Sequence, residues 1–173
     1  KERVQASSGV EAASYTDFVP LSSTAGPYYG VGVDGYTPAK GESMNVNRVL
    51  VAPDYFAAMR IPILEGRDFT ELDDRGSEPV VIVNQSFARR FFEGQSPLGR
   101  KVRAGGKWRR VVGLARDSKY FSPVEAPSPH FYLPFRQVYN SSAEIYFLAR
   151  TVGPPEQSIP LLRRAVAETD GRA

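Results

Sequence analysis

The chain has 173 residues, 42% of them hydrophobic and 24% charged, so it is long enough to bury a core in one large domain or two small lobes, which argues against disorder. Its net charge of +3 is small for a dedicated nucleic-acid binder, so no nucleic-acid partner is expected. It has no cysteine, which excludes disulfides and thiolate chemistry, and no apolar run of about 18 residues that could span a membrane.

The first half of the chain predicts short strands separated by loops. Alternating and apolar runs indicate strands over residues 10–18, 31–36, 46–52 and 61–64. Residues 21–30 are rich in Ser, Thr, Gly and Pro and predict a loop. Pro53 suits the first turn of a short helix over 54–59. Thr70 and Asp73 have the spacing of a capping box, so a helix is expected to start in this acidic segment.

The middle of the chain, residues 79–103, organises the rest. An unbroken apolar run over 80–83 predicts a strand that is covered on both faces. Asn84 follows at once as a helix N-cap, and Phe87, Phe91 and Phe92 fall on one helical stripe that should dock on the sheet. A turn at Pro97 and Gly99 then leads into a second strand over 100–103.

Gly105-Gly106 predicts a hairpin between that strand and another over 107–114. Residues 117–129 are interrupted by prolines, and we expect this segment, like the loop over 21–30, to form a contact surface rather than core. Strands over 131–133 and 144–150 and a final helix from Pro154 complete the chain. Strands and helices in mixed order predict an α+β fold.

Particular residues are expected to shape this fold. The predicted core residues are Tyr55, Phe56, Phe69, Val81, Val83, Phe87 and Phe91. The predicted turn and cap residues are Gly66, Asn84, Pro97 and Gly99.

The predicted hairpin collects the only basic cluster that includes a tryptophan. Its members are Lys101, Arg103, Lys107, Trp108 and Arg109. Basic residues interleaved with an aromatic ring can contact phosphates, so this is the candidate contact surface for an anionic lipid or polymer. Alternation along a strand would equally leave these charges on a solvated face.

Enzymatic sites are not indicated. Residues 30–35 match the dinucleotide pattern Gly-x-Gly-x-x-Gly, but Tyr36-Thr37-Pro38 follows where the pattern needs a helix. His130 is the only histidine and has neither a nucleophile motif nor a second nitrogen ligand beside it, so a structural or surface role is favoured. The acidic residues of 68–74 lack calcium-loop spacing. We therefore expect no catalytic, cofactor-binding or metal-binding residues.

Several segments, in this order, resemble one family. They are VAPDYF (51–56), IPILEGRDF (61–69), PVVIVN (79–84), FARRFF (87–92), PLG (97–99), VVGL (111–114) and YLP (132–134). The sequence resembles the periplasmic core domain of MacB/FtsX-type ABC transporter permeases, and is most similar to the duplicated orphan permeases without a fused ATPase.

This resemblance implies a non-catalytic periplasmic domain of a bacterial inner-membrane protein, inserted between the first two membrane helices of a permease. It implies a two-lobed mixed α/β fold, with a porter-like lobe from residues 1–50 and 115–173 and a smaller inserted lobe from 51–114. The domain would transmit ATP-driven motion of the permease's transmembrane helices to cargo, to a second permease copy or to a periplasmic adaptor. The separate cytoplasmic ATPase would not contact it.

Two other functions remain open from the sequence. A free-standing periplasmic binding module for anionic polymer or lipid would use the Trp108 hairpin, with a concave site beside it. A hydrolase would need an acid and a hydroxyl near His130. A transporter domain predicts instead that the two ends of the chain lie close together.

Overall fold

The computed structural model of the chain describes residues 2–5, 9–22, 28–139 and 144–167. The helices are α1 (Glu2–Gln5), α2 (Tyr55–Ala58), α3 (Gln85–Phe91), α4 (Phe135–Val138) and α5 (Pro155–Ala167). The strands are β1 (Val10–Thr16), β2 (Tyr28–Gly30), β3 (Gly32–Val33), β4 (Asn45–Val51), β5 (Ile63–Gly66), β6 (Val80–Asn84), β7 (Lys101–Ala104), β8 (Lys107–Ala115), β9 (His130–Pro134) and β10 (Tyr146–Thr151). Among the described residues, no helix is both long and apolar enough to cross a bilayer.

All ten strands belong to one mixed sheet. Its order is β10-β1-β4-β9-β6-β8-β7-β3, with β2 added to β4 and β5 added to β8. The β4–β9 and β6–β8 pairs are parallel, whereas the other pairs are antiparallel. Strands and helices in mixed order confirm the predicted α+β class.

The predicted division into lobes is crossed by two strand pairings. The strand β9 lies in the predicted porter-like lobe, yet it pairs with β6 of the predicted inserted lobe through Ile82↔Tyr132 and Val83↔Phe131. Similarly, β3 pairs with β7. The boundaries at residues 50 and 114 therefore stay a prediction within a continuous sheet.

Successive side chains of a strand point to opposite sides of the sheet. The central strands are buried on both faces because a hydrophobic core covers each side. Val81 and Val83 of β6 lie in the core beneath α3, whereas Val80 and Ile82 lie in the opposite core beneath α2. Every residue of β6 is buried, which explains why its sequence is an apolar run without alternation.

The residues expected in the core occupy these two layers. Phe87 and Phe91 of α3 pack with ring centroids 4.6 Å apart, and Phe92 is buried beside them. None of the seven predicted core side chains is more than 4% exposed: Tyr55, Phe56, Phe69, Val81, Val83, Phe87 and Phe91.

The four predicted turn and cap residues occupy three distinct settings. Asn84 caps α3, since its side chain accepts from the Phe87 amide at 2.9 Å. Pro97 is buried and its carbonyl accepts from the Arg100 amide, which closes a turn with Gly99 at a φ of +76°. Gly66 has a φ of +75°, and a Cβ there would collide with the carbonyl oxygen of Val112.

The strands β1 and β10 form a ribbon that joins the ladder of the remaining strands at one end only. They pair over six positions, from Val10↔Thr151 to Thr16↔Tyr146, but β1 meets β4 only at Thr16↔Val51. Other bonds supplement this junction. The Ala52 amide donates to Tyr15 O at 2.9 Å, the Thr16 hydroxyl donates to Leu50 O at 2.8 Å, and Asp17 pairs with Arg48 at 2.6 Å. The helices α1 and α5 contact each other and lie against the ribbon.

Three expectations about local structure are wrong. No helix starts at Thr70: Asp73 accepts from the Thr70 amide as a capping box requires, but its carboxylate also binds Arg67 and the chain continues in turns. The segment 117–129 is not only surface, since Tyr120 is fully buried in the core beneath α2. Similarly, β2 falls within the predicted loop 21–30, of which residues 23–27 lie outside the described residues.

Candidate functional site

The β7–β8 hairpin carries the residues of the candidate contact surface. Gly105 and Gly106 have φ values of +60° and +78°, which a two-residue hairpin turn requires. The register is Lys101↔Arg110, Val102↔Arg109, Arg103↔Trp108 and Ala104↔Lys107. Because opposed residues share a face of the hairpin, this register decides which of the predicted residues can act together.

Lys101, Arg103 and Trp108 share the exposed face, which we call the Trp108 face. The indole of Trp108 is 50% exposed. In the part of the chain that the structure describes, neither Lys101 nor Arg103 forms an ion pair, whereas the adjacent Arg110 pairs with Glu78 at 2.6 Å. The Trp108 face therefore combines an exposed ring with a net positive charge, which Glu78 offsets only in part. Lys107 is also exposed, beside the turn.

Arg109 does not belong to this surface, contrary to the prediction. It opposes Val102, so its side chain lies on the core side of the hairpin and is only 4% exposed. Its Nε donates to Ala104 O at 3.2 Å and its Nη1 donates to Gln137 Oε1 at 3.0 Å. Burial lowers the pKa of the Arg109 guanidinium. Because side chains alternate along the strand, Arg109 points toward the core while its neighbours Trp108 and Arg110 are exposed.

His130 is a buried structural residue at the start of β9. Its Nδ1 lies 2.9 Å from Ser128 O, so the ring donates there, and the ring stacks on Tyr120 at 4.3 Å. Burial lowers the pKa of the His130 imidazole. A hydrolytic triad requires hydrogen bonds from the histidine ring to an acid and to a hydroxyl. Among the described residues, the His130 ring makes neither bond.

The acidic segment forms an ion pair rather than a cation site. The Asp73 carboxylate receives two hydrogen bonds from Arg67, at 2.7 and 2.8 Å. Desolvation raises the pKa of this carboxyl, but Arg67 and the Thr70 amide outweigh that effect and the net pKa is lowered. Across the described ranges, no group of three or more His, Asp or Glu side chains could hold a metal ion.

Two carboxylates that were not predicted from the sequence organise the segment 117–129. Asp117 accepts from the Ser86 amide and hydroxyl, both at 2.8 Å, and so fixes this segment to α3. Glu125 accepts from three amides, those of Tyr120, Phe121 and Ser122. Ser122 and Glu125 have capping-box spacing, which was the available signal. For Asp117 no local signal exists, because Ser86 is distant in sequence.

With these sites described, the chain can be compared with known proteins. A family model for the MacB-like periplasmic core domain matches residues 3–165. The chain belongs to this family. It is therefore a periplasmic domain of an inner-membrane ABC transporter permease, and the family is one of non-catalytic transporter domains.

One curated relative matches this chain over a part of its own, longer sequence. It is the macrolide export ATP-binding/permease protein MacB of Sodalis glossinidius (strain morsitans), 26% identical over 138 residues. The match covers 73% of this chain but only 21% of that relative. The chain thus corresponds to about a fifth of the curated protein it resembles.

Solved structures share the fold. The periplasmic region of MacB from Actinobacillus actinomycetemcomitans superposes with a TM-score of 0.67 at 16% identity, covering 98% of this chain and 72% of that chain. The extracellular domain of the noncanonic ABC-type transporter YknZ from Gram-positive bacteria gives 0.61 at 18% identity, covering 97% and 80%. These likenesses confirm the mixed α/β architecture of the MacB-like core domain.

Proposed function

We propose that this MacB-like domain relays motion between the transmembrane helices of its permease and periplasmic partners, and that it has no catalytic residue of its own. A separate cytoplasmic ATPase that does not contact the domain would drive the motion. A periplasmic adaptor, a second permease copy or the cargo would receive it. The observation that carries the proposal is the single-position junction between β1 and β4.

The junction separates a mobile part from a stiff part. The β1–β10 ribbon contacts both α1 and α5, the first and last helices of the described chain, so a force on either helix would act on the ribbon. The remaining strands share two buried cores and should move as one body, against which Tyr15 and Leu148 of the ribbon also pack. Hinge motion concentrates where few interactions join such bodies.

A cleft marks the same boundary. It has a volume of about 250 Å³ and lies between α2, at Ala58 and Met59, and residues 148–151 of β10. Arg150 bridges it, since its Nε donates to Ala58 O at 2.7 Å. Arg60 and Glu11 form a second, exposed link at 3.4 Å. An incompletely filled boundary with two polar links permits the ribbon to shift against α2.

Spin-label distance measurements test the proposal. The full-length permease with its ATPase would carry labels at Glu156 in α5 and at Arg103 in β7, introduced as cysteines, because this domain has none of its own. We expect the distance distribution to differ between the nucleotide-free and ATP-bound states. A control pair at Val124 and Arg103, both on the stiff part, should stay unchanged. Identical Glu156–Arg103 distributions in a hydrolysing transporter would refute the relay.

Locking the junction with a disulfide tests the proposal through transport activity. Register partners are close enough for a disulfide, so Thr16→Cys with Val51→Cys should fix the ribbon to β4. The matched pair Ala13→Cys with Ala149→Cys lies within the ribbon and locks nothing further. Transport should fall for the oxidised junction pair and return on reduction, while the ribbon pair keeps its activity in both states.

A second candidate function rests on the Trp108 face. An exposed indole beside Lys101 and Arg103, which form no ion pair with any residue that the structure describes, suits an anionic lipid or polymer surface. A binding module would sediment with vesicles that contain phosphatidylglycerol, and Trp108→Ala would abolish this. Equal sedimentation of both proteins would exclude this face as the binding site.

A further inference from the structure

The buried guanidinium of Arg109 lacks a countercharge among the described residues. It forms no ion pair there, and its hydrogen bonds go to two neutral acceptors, Ala104 O and Gln137 Oε1. One of those acceptors is itself shared, because Gln137 Oε1 also accepts from the Val80 amide. A buried charge without an opposite charge is costly, so its persistence calls for an explanation.

A small polar cleft adjoins this guanidinium. It is lined by Arg75, Ser77, Lys107, Arg109 and Gln137, together with Asp74. Its three cations face one carboxylate, and Asp74 Oδ1 already accepts from the amides of Gly76 and Ser77 at 2.9 and 3.1 Å. Lys107 is exposed and forms no ion pair with any described residue. The cleft therefore has a net positive charge that its own residues do not neutralise.

Its size limits what can enter. The volume of about 20 Å³ is enough for one oxygen-sized atom but not for a whole organic molecule. The side chain of Gln137 is fixed by four hydrogen bonds, so the cleft is formed in advance.

We propose that this cleft binds a small oxyanion of the phosphate type, with one oxygen inserted beside Arg109 and the remaining oxygens reaching Lys107. Arg109 supplies a directional guanidinium, and Lys107 supplies a mobile charge at the entrance. The site is distinct from the Trp108 face, because Arg109 lies on the opposite side of the hairpin. It does not depend on the proposed relay function.

Inorganic phosphate is the probe for this site. Thermal unfolding of the domain would be followed against phosphate concentration at constant ionic strength maintained with sodium chloride. We expect saturable stabilisation of the wild type. Lys107→Ala should weaken the apparent affinity at least about tenfold, the scale of one charge-assisted hydrogen bond. Arg103→Ala, which removes an exposed charge from the other face, should bind like the wild type.

Arg109→Met provides a second variant. It removes the buried charge at similar volume, so it should fold and lose the response to phosphate. If this variant does not fold, the comparison of Lys107→Ala with Arg103→Ala still tests whether the cleft binds phosphate. The proposal is overturned if phosphate stabilises the wild type no more than chloride does. It is also overturned if Lys107→Ala responds like the wild type, or if Arg103→Ala loses the response equally.

Discussion

The side-chain oxygen of Asn84 accepts a hydrogen bond from the backbone amide of His130 at 2.9 Å and so joins the ends of β6 and β9. The same oxygen caps α3 through the Phe87 amide, and Nδ2 donates to Ser128 O at 2.8 Å. One amide side chain, only 1% exposed, thus satisfies three backbone groups from separate segments.

Replacing Asn84 should cost more than an ordinary helix cap. Asn84→Ala leaves the buried amides of Phe87 and His130 without an acceptor, so we expect a loss of about 2–4 kcal/mol in the free energy of unfolding. Urea denaturation measures this loss. Asn45→Ala, at an exposed position of β4, is the matched control and should change stability by less than about 0.5 kcal/mol. Equal losses for the two variants would contradict the capping role.

Phe87 should contribute strongly through packing. It is fully buried against Phe91, so Phe87→Ala would leave a cavity beneath α3 and lower the free energy of unfolding by about 3–5 kcal/mol. Leu72→Ala removes a side chain that is 82% exposed and should have little effect in the same urea titration. A Phe87→Ala loss below about 1 kcal/mol would mean that this core is loosely packed.

Gly66 and Gly94 separate backbone strain from steric collision. Both have positive φ, +75° and +74°, so alanine costs about 1–2 kcal/mol at either position. Only at Gly66 would a Cβ also collide with Val112 O, whereas at Gly94 nothing lies within 4 Å. Gly66→Ala should therefore lower the melting temperature clearly more than Gly94→Ala. Equal shifts would show that the β5–β8 pairing relaxes freely.

His130 should make the domain sensitive to mild acid. Desolvation lowers the pKa of the folded imidazole below its ordinary value of 6.5, although Ser128 O and the charges of Glu125 and Asp117 oppose this. The unfolded chain therefore takes up a proton first as the pH falls. Stability is complete above about pH 6.5 and declines as the pH falls toward the folded pKa.

Denaturation at several pH values measures this decline. The carboxyls of Glu125 and Asp73 have ordinary pKa values of 4.5 and 3.8, so their effects appear at lower pH. His130→Gln cannot titrate and should show a flat profile between about pH 7.5 and about pH 5.5. A flat profile in the wild type would contradict a buried neutral His130.

The centre of the fold could be predicted because its signals are local. The apolar run of β6, the cap at Asn84 and the phenylalanine stripe of α3 each occupy a few consecutive residues. The glycine pair of the β7–β8 hairpin is equally local. The structure of each of these segments can be predicted from its own residues, because hydrophobic periodicity or turn chemistry determines that structure.

Other features depend on residues that are distant in sequence. Arg109 is buried because Gln137 of α4 supplies an acceptor, and α4 itself was not expected. Tyr120 of the segment 117–129 is buried in the core because the hydroxyls of Tyr132 and Tyr55 are hydrogen-bond partners for the Tyr120 hydroxyl. Composition alone assigned both to the surface, since it cannot reveal a partner that only the tertiary fold provides.

The ribbon also sets an order of events during synthesis. Because β1 pairs with β10 over its whole length, β1 must wait until β10, the last of the described strands, has been made. Closing so long a loop is entropically slow, while β6 to β9 can assemble from nearer neighbours. The β1–β10 ribbon should therefore be the last part of the sheet to acquire protection from hydrogen exchange on refolding.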